Sequence, residues 1–154
     1  MNDSAFRIFE LHTQGFGCSQ ILMQMVLDER GKNDPDLVRT MSGLLRGMNS
    51  GKNCGALTGA CCVLGLYAGR GTREEHEDPN LDLMLHQLVE WFEGEYKSRY
   101  GSIDCAGIIG DDPKLQLTRC PQIVAETFDK LTEILTSSHY DLSRGRSSCV
   151  EGHS

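Results

Sequence analysis

Residues 53–71 read NCGALTGACCVLGLYAGRG, and their small and apolar residues recur at helical spacing. Gly55 and Gly59 stand four apart, as do Ala56 and Ala60, and Val63, Leu64, Leu66 and Tyr67 carry the apolar surface round the axis. A helix apolar on nearly every side belongs in the middle of a domain. Each glycine costs about 1 kcal/mol relative to alanine inside a helix. Two of them one turn apart therefore imply close packing, or a chemical group set against the backbone. Cys54, at the first turn, is the candidate for that group.

The flanking segments repeat the helical period. Residues 5–13 place Ala5, Ile8, Phe9 and His12 on one stripe, which Gly15 and Gly17 end. Residues 18–30 keep Ile21, Leu22, Met25 and Val26 in helical register up to a stop at Gly31. Asp34 and Pro35 read as N-cap and first helical residue of a third helix carrying Leu37, Met41, Leu44 and Met48. Beyond a solvated loop, TREEHED, Asp78 and Pro79 repeat the cap signal before the stripe Leu81, Met84, Leu85, Leu88, Val89, Phe92 and Tyr96. After DCAGIIGDD, Asp112 and Pro113 predict at most one turn, and a last helix opens at Cys120 and Pro121, with Val124, Phe128, Leu131 and Leu135 inward. No alternating β-branched run and no hairpin dipeptide competes. The expectation is all-α, one helical bundle of about five to seven helices over residues 1–142. Residues 143–154, with Cys149, read as a flexible polar tail.

A chain of 154 residues is long enough to hide roughly 70% of its unfolded surface around one core. A net charge of −7 lacks the clustered Lys and Arg that nucleic acid or an anionic membrane would demand, so neither is an expected partner. Asp3, Arg7 and Glu10 interrupt any secretory h-region, and no apolar run reaches membrane-spanning length. A cytoplasmic protein without membrane insertion is expected. Seven cysteines are then the anomaly, and in a reducing compartment they point to thiols, redox centres or metal ligands rather than a static disulfide framework.

Cys18, Cys54, Cys105 and Cys120 share one context, a short polar or glycine-containing loop before and an apolar helical run after. Each is thus expected at a helix N-terminus, where backbone N–H groups and the macrodipole favour a thiolate. Cys120 is the strongest case, with Pro121 at the first helical position and Arg119 adding a cation, whereas Asp104 beside Cys105 opposes a second negative charge unless engaged in capping. If successive helices alternate in direction, all four thiols fall at one pole of the bundle. Cys61 and Cys62, mid-helix, read as small hydrophobes, although Cys61 lies two turns from Cys54 on the same face. No CxxC, CxxCH, Walker or GxSxG motif occurs, so any centre is assembled by tertiary structure. Among the histidines only His12 approaches the expected site, with a role as a C-terminal helix cation the plainer reading. No general acid and base pair is indicated.

In this order, Cys18, then Cys54-Gly55-Ala56-Leu57-Thr58-Gly59, then Cys105 and Cys120, the chain resembles the redox-active C_GCAxxG_C_C family. The likeness spans about residues 5–135 and leaves out Cys61, Cys62 and Cys149. It implies a cytoplasmic redox role, and because related domains occur attached to c-type cytochromes it favours electron transfer and an iron–sulfur centre. The leading expectation is a 2Fe-2S cluster on Cys18, Cys54, Cys105 and Cys120, with Gly17 and Gly55 letting backbone amides approach its sulfide. The alternatives are metal-free thiol–disulfide chemistry, with Cys120 attacking and Cys54 resolving, and a helical module clamped by structural zinc. An unidentified redox protein is the expected partner, and the glycine-rich helix offers a surface for a homodimer.

Overall fold

Aspartate followed by proline marks two helix starts as anticipated, because the carboxylate satisfies an orphan N–H and proline has none to waste. Asp34 accepts from the Leu37 amide at 3.2 Å and Asp112 from the Lys114 amide at 2.9 Å. In the computed structural model, which describes residues 3–145, the chain forms α1 (Asp3–Thr13), α2 (Cys18–Glu29) and α3 (Pro35–Thr40). Then come α4 (Gly55–Ala68), α5 (Leu81–Tyr100), α6 (Cys105–Ile108) and α7 (Pro113–Ser137). Among the described residues there is no strand, and the fold is all-α. Among the described residues no helix is long and apolar enough to cross a membrane. Cys149 and His153 lie outside the described residues.

The central helix is α4, which packs against α2, α5 and α7. Its small residues explain how. A Cβ on Gly59 would stand 2.9 Å from the Ser19 Cα, so the two backbones meet where no side chain separates them. Ser19, fully buried, donates its hydroxyl to the Met41 carbonyl at 2.8 Å. Gly59 is thus the point at which α2 of the same chain comes closest to α4. With Leu22, Val26 and Leu27 wholly buried, α2 is a second central helix.

Three expectations need correction. The third helix does not carry Met48 inward: α3 ends at Thr40, a 3-10 turn spans Met41–Leu44, and Met48 is 46% exposed. Gly43 and Gly47 weaken the helix there, and the chain turns left-handed, with φ of 55° at Arg46, 60° at Met48 and 52° at Asn49. Asp78 does not cap α5, whose N-cap is Asn80; it accepts from the Asn80 amide and from the buried Tyr140 hydroxyl instead. The last helix begins at Pro113, not Cys120, and runs unbroken through Pro121. After it, Tyr140 packs against the end of α4, and the Tyr67 hydroxyl donates to the Leu142 carbonyl at 2.6 Å.

Candidate functional site

Cys18 is the first residue of α2, after a Gly17 N-cap in extended conformation, and the Gly17 amide donates to the Gln20 side chain at 3.2 Å. Cys54 is the N-cap of α4, and Cys105 opens α6 behind Asp104. These three cysteines occupy the helix starts expected of them. Cys120 does not: it is the eighth residue of α7. Proline in a helix interior costs about 3 kcal/mol, so the proline signal favoured a helix start there. The earlier pair Asp112-Pro113 had already begun that helix.

All four sulfurs nonetheless border one cleft of about 930 Å³, and Gly17, Gly55 and His12 line it too. Cys61 and Cys62 are not among its lining residues. Gly55 is explained by contact: a Cβ there would lie 2.5 Å from Cys18 Sγ and 3.2 Å from the Leu44 carbonyl oxygen. The group set against the glycine backbone is Cys18, brought in by the neighbouring helix.

The sulfurs differ in electrostatics. The Cys18 thiol donates a hydrogen bond to Cys54, and this interaction, together with the Ala56 and Leu57 amides, holds the Cys54 pKa below its ordinary value despite burial. The same hydrogen bond, followed by burial and by the Cys54 charge, pushes Cys18 well up. Burial raises Cys105, and burial lifts Cys120 to about 12; the Cys54 charge adds to both. Cys54 thus neighbours the other three electrostatically. Of the four, Cys54 is shifted toward the thiolate and the other three toward the thiol. Cys120, expected to be the most acidic, is among the least, because its sulfur is buried along a helix. The Arg119 guanidinium turns away to the Ile108 carbonyl, 2.6 Å, and lies 4.4 Å from the Tyr100 ring centroid.

Four thiols are the donor set that zinc and iron–sulfur centres use. Among the described residues, however, no group of three or more His, Cys, Asp or Glu side chains is clustered closely enough to hold a metal ion.

Two features of the rim were not anticipated. The left-handed turn brings Arg46 and Asn49 to the cleft; left-handed backbone costs roughly 1–2 kcal/mol at a residue bearing a side chain. The run GMNSG, with two glycines and an asparagine, was its sequence signal. The second feature is a clamp between the residues preceding two of the cysteines. The Asn53 amide donates to Asp104 Oδ1 at 2.7 Å, and the Cys105 amide donates to the Asn53 carbonyl at 3.1 Å. Asn53 itself is left-handed, at φ 59°. The Asp104 carboxylate, expected to oppose charge on Cys105, is engaged in this joint.

Comparison with curated proteins and comparison with solved structures find no match. A family model described as "Putative redox-active protein (C_GCAxxG_C_C)" matches residues 16–134, a span that holds Cys18, the CGALTG segment, Cys105 and Cys120. With that span covering most of the chain and its four cysteines bordering one cleft, the chain belongs to the C_GCAxxG_C_C family of redox-active proteins.

Proposed function

We propose that the protein is a thiol–disulfide redox carrier whose working couple is Cys18 and Cys54. The observation that supports this most is that the Cys18 sulfur sits against Gly55, the residue after Cys54 at the start of α4, while Cys18 and the Ala56 and Leu57 amides hold the Cys54 pKa below its ordinary value. A thiolate is the nucleophile in disulfide exchange, and its neighbour bears the proton that must leave. In the balanced reaction, the two cysteines give up two electrons and two protons as one S–S bond forms. A disulfide of the redox partner accepts both and is cleaved to two thiols. The reverse reaction oxidises a partner dithiol.

A second reading is favoured by Cys105 and Cys120, which share the cleft and which a two-cysteine couple leaves unused. In it, all four sulfurs rearrange around a 2Fe-2S cluster, which would supply one-electron transfer. Anaerobic purification decides between the readings. The thiol couple predicts a colourless protein that loses two thiols reversibly to a small disulfide, with the bond mapping to Cys18 and Cys54 and disappearing in Cys54→Ser. Iron and acid-labile sulfide near two each per chain, with a visible spectrum, would replace it by the cluster. Bound zinc without a reversible disulfide would overturn both.

A further inference from the structure

We infer that Cys105 is the thiol through which the Cys18–Cys54 couple exchanges with its partner, and that Asp104 is the residue that positions it. The inference rests on the proposed couple and assigns where that couple meets the outside. Cys54 is buried, 7% exposed, so a partner sulfur has poor access to it. Cys18 is pressed against Gly55, and Cys120 lies along α7. Cys105 opens a helix of four residues at the cleft edge and is the least enclosed of the four sulfurs.

What ties this outer thiol to the inner one is the backbone joint. Asn53 precedes Cys54 and Asp104 precedes Cys105, and the two are locked by a reciprocal pair of hydrogen bonds, 2.7 Å from Asn53 N–H to Asp104 Oδ1 and 3.1 Å from Cys105 N–H to the Asn53 carbonyl. Asp104 is held from its other side, its amide donating to Ser102 Oγ at 3.0 Å. Gly51 closes the joint: a Cβ there would stand 2.8 Å from the Ala106 Cβ. Two segments distant in sequence are thereby registered at the peptide groups adjoining both sulfurs. In a bundle whose other cysteines are carried by longer helices, α6 needs such a tether to keep its cysteine at the cleft that Cys54 also borders.

The chemistry balances without an added oxidant. The Cys105 thiolate attacks the Cys54 sulfur of the Cys18–Cys54 disulfide. The Cys54–Cys105 bond forms as the Cys18–Cys54 bond breaks, and Cys18 leaves as thiolate and takes up the proton that Cys105 lost. A thiolate of a partner dithiol then attacks Cys105, and Cys54 departs as thiolate beside the Ala56 and Leu57 amides. The partner's second thiol attacks its own sulfur in the mixed disulfide and frees reduced Cys105. The partner dithiol ends oxidised by two electrons, and Cys18 and Cys54 end as thiols.

The test uses the full chain and hydroxyethyl disulfide as probe, with acid quenching and mass-spectrometric mapping of disulfide-linked peptides. In Cys54→Ser, which strands the outer sulfur in its mixed disulfide, the adduct is expected on Cys105 in excess over Cys18 and Cys120. In Asp104→Ala the yield of Cys54–Cys105 relative to Cys18–Cys54 is expected to fall about tenfold, the weight of one hydrogen bond to a charged acceptor. Asp104→Asn, which keeps the acceptor oxygen, restores most of it. An adduct chiefly on Cys18 or Cys120, or an unchanged ratio in Asp104→Ala, overturns the role of Cys105 and leaves the couple standing. Absence of any Cys18–Cys54 disulfide in the wild-type chain overturns both.

Discussion

At Gly55 and Gly65 the same substitution in the same helix has opposite consequences. Alanine gains about 1 kcal/mol over glycine in a helix interior. At Gly65 nothing lies within 4 Å of the new Cβ, so Gly65→Ala is expected to raise stability by about that amount in urea unfolding. At Gly55 the Cβ would sit 2.5 Å from Cys18 Sγ and close to a backbone oxygen that cannot swing aside. Overpacking of this kind costs about 1–3 kcal/mol, so Gly55→Ala is expected to be net destabilising. Displacing the Cys18 donor should also raise the Cys54 pKa, read as a shift of thiolate absorbance to higher pH. The need for a glycine at position 55 was legible in the sequence, since a helix does not accept two glycines a turn apart without cause. Which group filled the space was not, because Cys18 arrives from another helix.

The elements divide into those with unambiguous punctuation and those without. Asp34-Pro35 and Asp112-Pro113 each carry a cap acceptor and a proline, and helices begin at both. Cys120-Pro121 offers a proline with only a weak cap acceptor, and α7 passes through it. The clue against a start was present in Cys120 and Val124, which extend backwards to Gln116 and Pro113 along one helical face, all now bordering the cleft. Pro121 interrupts the hydrogen-bond ladder of α7 for no gain in helix stability. Pro121→Ala is therefore expected to stabilise the chain toward urea by up to about 3 kcal/mol while shifting Cys120, which slower or faster alkylation of that thiol would reveal. The left-handed turn at residues 46–49 had a signal in GMNSG, but the apolar spacing from Leu37 to Met48 imitates a continuing helix and masks it. Only two of its four residues, Gly47 and Asn49, are types that visit this region readily.

For the whole molecule, the all-α class followed from helical periodicity, whereas Cys120 reaches the cleft that Cys18, Cys54 and Cys105 border from inside α7 and not from the helix start that alternation assumed. The electrostatic ranking of those cysteines did not follow from periodicity, because burial outweighs a helix start and only the folded chain determines burial. Burial raises Cys61 to about 11 and Cys120 to about 12. A thiol whose pKa is raised by folding supports the native state below its unfolded value, near 8.5, and loses that support as pH climbs through the folded value. The melting temperature is thus expected to decline from about pH 8.5 upward, less steeply in Cys120→Ala; Cys54, shifted the other way, opposes part of this decline. At the opposite pole the buried Tyr140 hydroxyl donates to Asp78, which is itself largely buried. Tyr140→Phe leaves that carboxylate short of a donor, and a loss of about 1–3 kcal/mol is expected in urea unfolding.

The closeness of α2 and α4 at Ser19 and Gly59 has one more consequence, because Cys18 and Cys54 begin those same two helices. A covalent bond between them would staple the innermost pair of rods at one end, closing a loop of about 36 residues and narrowing the unfolded ensemble by about 4 kcal/mol. By reciprocity the staple draws its own resistance to reductants from the interlocked backbones. Heat tolerance and resistance to reduction would then be two readings of a single joint, rising and falling together when its glycines are changed, with electron affinity moving the opposite way.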